Sequence, residues 1–244
     1  MTQYNDRYAQ PAATARTGAA VDEGLRSYML GVYNYMSAGV LLTGVMAYAV
    51  SEIATANPAI ANVLYNSPLK FVLMLAPLAF VLVLSFGIHK LSASATQMVF
   101  WAFAAVMGLS MSVIFLIYTN TSIFQTFLVT AGAFAALSLY GYTTKKDLSG
   151  IGSFLIMGVV GLIIASILNW FLQSGALAFA ISVIGLLVFA GLTAYDTQRI
   201  KDEYLYIRHD AEMVAKASVM GALSLYLDFV NMFQFLLSFL GNRE

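Results

Sequence analysis

Two carboxylates stand where a carboxylate is costly. Asp228 lies in the middle of a strongly apolar segment, in Leu225-Tyr226-Leu227-Asp228-Phe229-Val230-Asn231. No other Asp, Glu, Lys, Arg or His falls well inside an apolar segment of this chain. An ionised carboxylate at a bilayer centre costs at least ~2.5–3.5 kcal/mol, so one is rarely found there without a task. Its candidate partner is Asp196, in Ala194-Tyr195-Asp196-Thr197-Gln198-Arg199-Ile200-Lys201, at the end of the preceding apolar segment. Two carboxyls that meet do not comfortably both ionise and come to share a proton, which is the chemistry of proton or cation handling. A plainer reading stays open beside this one. Asp196 has Arg199 one turn on as a surface ion partner, and a neutral Asp228 would serve as hydrogen-bonding glue between helices.

The elements that must position these residues are long apolar helices. Of 244 residues, 60% are hydrophobic and 10% charged, far from the roughly 25% charged of soluble domains. Apolar runs recur over 28–50, 69–89, 98–118, 123–142, 151–172, 176–197 and 214–240, each long enough to cross ~30 Å of hydrocarbon as a helix. They do not alternate as barrel strands would. The expected fold is an all-α bundle of seven transmembrane helices over 28–244, after a disordered cytoplasmic tail over 1–27. Connections are short except for a loop holding Asn57, Pro58, Asn62, Asn66 and Pro68, and a polar stretch over 198–213. Cysteine is absent, which excludes disulfides, thiolate metal sites and cysteine nucleophiles. Net charge is zero, so no basic surface suggests nucleic acid.

Charge placement sets an orientation. Arg7, Arg16, Arg26, Lys90, Lys145, Lys146, Arg199, Lys201, Arg208 and Lys216 belong to one side, against Lys70 and Arg243 on the other. The positive-inside rule puts the N-terminus in the cytoplasm and, with seven full spans, the C-terminus outside. A re-entrant last segment would move only Arg243. Asp196 then lies near the cytoplasmic interface and Asp228 about halfway up the returning helix. Antiparallel pairing levels them only if the turn is centred near residue 212, the mean of the two positions, with the sixth helix projecting past the membrane surface or the seventh sitting low.

Helix faces add detail. Ala104, Gly108 and Ser112 on the third span, and Gly132 and Ala136 on the fourth, have the small-residue spacing that lets helices approach closely. On the seventh, Ala217, Gly221, Ser224, Asp228 and Asn231 project to one side, and Ser224 and Asn231 make that side polar. It is expected to face protein or a water-filled cavity.

The stretch Gly191–Lys201, followed by Ala222–Asn231 and preceded by Lys145-Lys146-Asp147-Leu148, resembles the Bax inhibitor-1 family, from about residue 20 to the end. The resemblance implies seven helices with the last one central, and a pH-regulated cation leak, of calcium or protons, gated by paired aspartates that match Asp196 and Asp228. It implies no cofactor beyond transiently bound calcium, a multi-pass location in the bacterial inner membrane, and no enzymatic activity. Bacterial members to compare carry an arginine after the second span, available to latch the sixth-span aspartate. This chain offers His89 and Lys90 there, so the candidate latch cations are His89, Lys90 and Arg199. The second span lacks an acid and the outward loops offer mainly Glu52, so no calcium-attracting mouth is evident.

Two other readings stand beside the channel. A regulator binding other membrane proteins, such as a membrane protease, fits some family members. An intramembrane aspartyl protease also uses two aspartates, but this chain lacks the glycine-flanked second motif, and only 16 residues follow Asp228. Retinal proteins need a lysine within the last helix, and 217–240 has none. His89 and His209 both flank apolar segments, which leaves no histidine at depth for a rhomboid-type serine protease.

Overall fold

A computed structural model describes residues 6–88 and 90–242, with side chains from Val21 onward; His89, a candidate latch, therefore lies outside the described residues, as do residues 1–5 of the expected tail. Among the described residues, seven helices are long and apolar enough to cross a membrane: Val21–Ala56, Leu69–Gly87, Ala93–Ile117, Asn120–Thr143, Ser149–Leu172, Gly175–Ile207 and Ala211–Leu240. The first is already helical over 21–27, where Leu25 packs on the core. The outer faces of the bundle carry large apolar side chains in the open, such as Phe86 at 78%, Trp170 at 72% and Phe171 at 75% exposure. Such a belt is stable only against hydrocarbon, so the chain is an all-α, multi-pass membrane protein.

The seventh helix is the axis of the bundle. Half of its membrane-length window is buried, against 11% for the second and fifth helices, and it packs on the first, third, fourth and sixth. Its apolar side enters the main core, where Tyr226 stands among Phe100 and Phe103 with edge-on rings. The Tyr226 hydroxyl is satisfied there: Thr43 donates to the Ala104 carbonyl at 2.8 Å, and Tyr226 donates to Thr43 Oγ1 at 2.6 Å. A closed network of this kind offsets the cost of taking a polar group out of water into an apolar core.

Local chemistry sets the helix ends. Asp210 caps the seventh helix, its carboxylate accepting from the amides of Glu212 and Met213, and Ser174 caps the sixth through the Leu177 amide. The connection between those two helices is only Arg208–Asp210, where hydropathy suggested a polar stretch over 198–213. Ile200 and Tyr204 explain the difference: they are buried, so the polar end of the sixth helix still has an apolar face to pack. The expected loop after the first span is also partly helical, because Asn57 caps Pro58–Ala61 by accepting from the amides of Ala59 and Ile60. At the other end of the bundle the Thr119 amide donates to the Asn242 carbonyl at 3.0 Å. The seventh helix thus runs unbroken from one end to the other rather than turning back.

The small-residue expectation divides. A Cβ on Gly108 would meet Met46 Cβ at 2.6 Å and the Thr43 carbonyl at 2.7 Å, so that glycine allows the first and third helices to touch. Gly132 and Ala136, by contrast, face outward. The fourth helix packs instead through Ser122, Thr126, Thr130, Phe134, Ser138 and Gly141; the Thr130 hydroxyl bonds back to its own helix, and those of Ser122 and Ser138 bond across to neighbours.

Candidate carboxylate site between the last two helices

Two contacts bracket the aspartates. One turn below, Arg199 Nη2 donates to Ser224 Oγ at 3.1 Å; one turn above, the Thr193 hydroxyl points at Met232 Sδ at 3.4 Å. On antiparallel helices these two pairs set a register centred near residue 212, and that register puts Asp196 and Asp228 at one level. The sixth helix meets the geometric condition by length. Its 33 residues run about 50 Å, well beyond the hydrocarbon thickness, so it projects past the membrane surface.

Both carboxyls are enclosed: Asp196 is 8% exposed and Asp228 3%. Asp196 Oδ1 pairs with Arg199 Nη2 at 3.2 Å, one turn along its own helix. Asp228 Oδ2 is buried without a hydrogen-bond partner, one of two such side-chain atoms among the described residues, the other being the Tyr28 hydroxyl. Asp196 and Arg199 are the charged groups that act on Asp228, and both come from the sixth helix. The Arg199 guanidinium also lies over the Tyr195 ring, 5.8 Å from its centroid. It therefore joins an acid, a hydroxyl of the facing helix and an aromatic face, which suits a planar, delocalised cation. Lys90 is exposed in the turn after the second helix and, among the described residues, pairs with no carboxylate.

The polar face of the seventh helix is only partly engaged. Ser224 accepts from Arg199, whereas Asn231 Nδ2 donates to the Leu227 carbonyl of its own helix at 2.8 Å. Ala217 and Gly221 are buried against the sixth helix side, with Ile200 atoms 3.1 Å from where a Gly221 Cβ would stand.

Sequence reasoning missed the frame that holds Asp196. Thr197 donates to the Thr193 carbonyl and accepts from Ser138, which in turn accepts from Tyr33, so hydroxyls link the sixth, fourth and first helices. Gln198 clamps the loop before the fifth helix, its oxygen accepting from the Leu148 amide at 2.8 Å and its amide donating to the Lys146 carbonyl at 2.9 Å. Lys201 donates to the Tyr142 carbonyl at the end of the fourth helix at 3.0 Å. Gly141 completes the frame, since a Cβ there would collide with the Ala194 carbonyl. The signal was present in part as helical spacing: Thr197 and Lys201, four residues apart, reach the fourth helix, while Thr193, one turn earlier, reaches the seventh.

Outside the membrane segments, Asp147 starts the fifth helix by accepting from the Ser149 amide at 2.8 Å. That bond, with one from the Ser149 hydroxyl, holds its carboxyl below the ordinary value. No group of three or more metal-ligating side chains gathers among the described residues.

Comparison with known proteins places this arrangement. A protein of Caulobacter vibrioides is 46% identical over 254 residues, covering all of both chains, and one of Rickettsia prowazekii is 45% identical over 97% of this chain and 98% of its own. The inner membrane protein YbhL of Escherichia coli is 48% identical over 91% of this chain and 94% of its own. The family described as "Inhibitor of apoptosis-promoting Bax1" matches residues 25–244, a stretch that includes both aspartates and all but the first four residues of the seven apolar helices. The chain belongs to that family, the Bax inhibitor-1 proteins, which are membrane proteins and not catalytic.

Proposed function

We propose that this protein is a pH-responsive cation leak of the bacterial inner membrane, with Asp196 and Asp228 as its switch and calcium or protons as the permeant ions. The observation that carries the reading is an enclosed Asp228 carboxyl with one oxygen unpartnered, level with an Asp196 whose only described counter-ion also ties the two helices together. Carboxyls enclosed together titrate as a unit, so adding or removing one proton changes the charge between the sixth and seventh helices by a whole unit. With a proton between them, a carboxyl–carboxylate hydrogen bond joins the helices. With none, two like charges must separate, hydrate or draw in a cation. The inner-membrane assignment rests on the name of the Escherichia coli relative.

The test is ion flux through purified protein in liposomes as external pH is varied. Wild-type flux should pass through a transition near neutrality. Asp228→Asn and Asp196→Asn keep shape and hydrogen-bonding capacity while deleting the titration, and each should abolish or strongly displace that transition. Wild-type pH profiles in both variants would overturn the switch.

A further inference from the structure

The first and fourth helices both pack on the seventh, yet they scarcely pack on each other. The gap between them holds two cavities that share Tyr33 and Phe134 as walls. The larger, about 1010 Å³, is floored by Phe229, Val230 and Phe233 of the seventh helix and bordered by Val40, Gly44 and Phe127. The smaller, about 480 Å³, opens toward the end of the bundle where the positive charges lie and is lined by Arg26, Leu30, Ser138 and Tyr142. Exposed apolar side chains form the lips, among them Leu30, Leu41, Phe124 and Leu139.

An arginine stands at the mouth. Arg26 is exposed there and, among the described residues, pairs with no carboxylate, although Asp22 and Glu23 stand one turn before it. A second cation, Lys201, lies against a lining residue, its ammonium on the Tyr142 carbonyl and 5.7 Å from the Tyr142 ring centroid. Depth matches as well. The two chambers are lined along the first helix from Arg26 past Tyr33 to Gly44 and Ala49, and the 18 residues from Arg26 to Gly44 rise about 27 Å, the reach of an extended acyl chain from its phosphate. An arginine over an apolar cleft of that length has the polarity and length of a phospholipid, and of neither a soluble ion nor a peptide.

We propose that this cleft binds an anionic phospholipid of the cytoplasmic leaflet, its phosphate on Arg26 and one acyl chain laid over Tyr33 against Phe134 and the seventh helix. The occupant would then touch Phe229 and Val230, the residues that follow Asp228.

Native mass spectrometry of the full chain, purified from an equimolar mixture of phosphatidylglycerol and phosphatidylcholine, tests this. Wild type should retain a single phosphatidylglycerol with about fivefold preference, the size expected for one cation near a headgroup. Arg26→Gln should lose the preference. Gly44→Phe should lose the lipid, since a Cβ at Gly44 meets nothing within 4 Å and the ring has the cleft to enter. Gly161→Phe, equally unhindered but on the fifth helix and away from the cleft, should keep it. Retention without headgroup preference, retention in Gly44→Phe, no retained lipid in wild type, or a dimer dissolved by Gly44→Phe would each overturn the proposal, the last by giving the cleft to a second copy.

Discussion

One terminal nitrogen of Arg199 serves two helices: it lies 3.2 Å from Asp196 Oδ1 on its own helix and 3.1 Å from Ser224 Oγ on the next. Charge and tie are thus combined in one side chain, and substitution separates them. Ser224→Ala removes the tie without altering charge. A partly exposed, charge-assisted bond contributes about 1 kcal/mol, so basal flux in liposomes should rise about fivefold with the pH transition unmoved. Arg199→Gln also removes the counter-ion of Asp196 and should displace the transition. A transition that moved in Ser224→Ala but held in Arg199→Gln would contradict this division.

The register makes a distance prediction. The chain has no cysteine, so Asp196→Cys with Asp228→Cys introduces the only two thiols. A short bifunctional reagent should join them in folded protein, as it should for cysteines at Arg199 and Ser224. A link in the second pair alone would show that the carboxylates do not face each other.

Asp147 supplies a control for the pH response. Its carboxyl is held below 3.8 by Ser149, so its stabilising bond is fully present above that value and fades only as pH falls through the lowered one. It stays ionised throughout the neutral range. Asp147→Asn should therefore leave the flux transition where it is, while Asp228→Asn does not. A shifted midpoint in Asp147→Asn would move the sensor to the loop before the fifth helix.

Two glycines on one helix should behave oppositely. Gly141→Ala forces a methyl against the Ala194 carbonyl, two residues from Asp196, whereas Gly132→Ala projects into open space. Overpacking of this kind costs about 1–3 kcal/mol. Thermal unfolding in detergent should show a clearly lowered midpoint for Gly141→Ala and none for Gly132→Ala; equal midpoints would mean that the fourth and sixth helices are not in backbone contact.

Orientation is open to a direct reading. Reporter fusions after residues 60, 148, 207 and 244 should read outside, inside, inside and outside. The unbroken seventh helix, ending beside Thr119, makes the last of these the informative one. An inside signal at 244 alone would contradict a full final span.

Much of this molecule is written locally. Seven apolar stretches, a ten-to-two division of Lys and Arg, and an aspartate amid Leu, Tyr, Phe and Val each report a property of contiguous residues: transfer free energy to hydrocarbon, or the charge beside it. The seven-helix bundle and the two aspartates as residues of interest were legible for that reason, whereas the central place of the last helix was implied by the family resemblance. Hydropathy could not report how far the sixth helix continues beyond the hydrocarbon, because its last ten residues are held by Ile200, Tyr204, Gln198 and Lys201 through contacts with other helices. That extension decides the register, and the register decides that Asp196 and Asp228 stand level. Tertiary structure likewise gave Arg199 its second partner, Ser224 on the seventh helix, left Lys90 exposed, and turned the Ser/Thr face of the fourth helix inward instead of Gly132 and Ala136. Each of these outcomes is a choice between partners far apart in sequence, and such choices are made by packing geometry and by the penalty on unsatisfied polar groups in an apolar interior, neither of which is a property of any one segment.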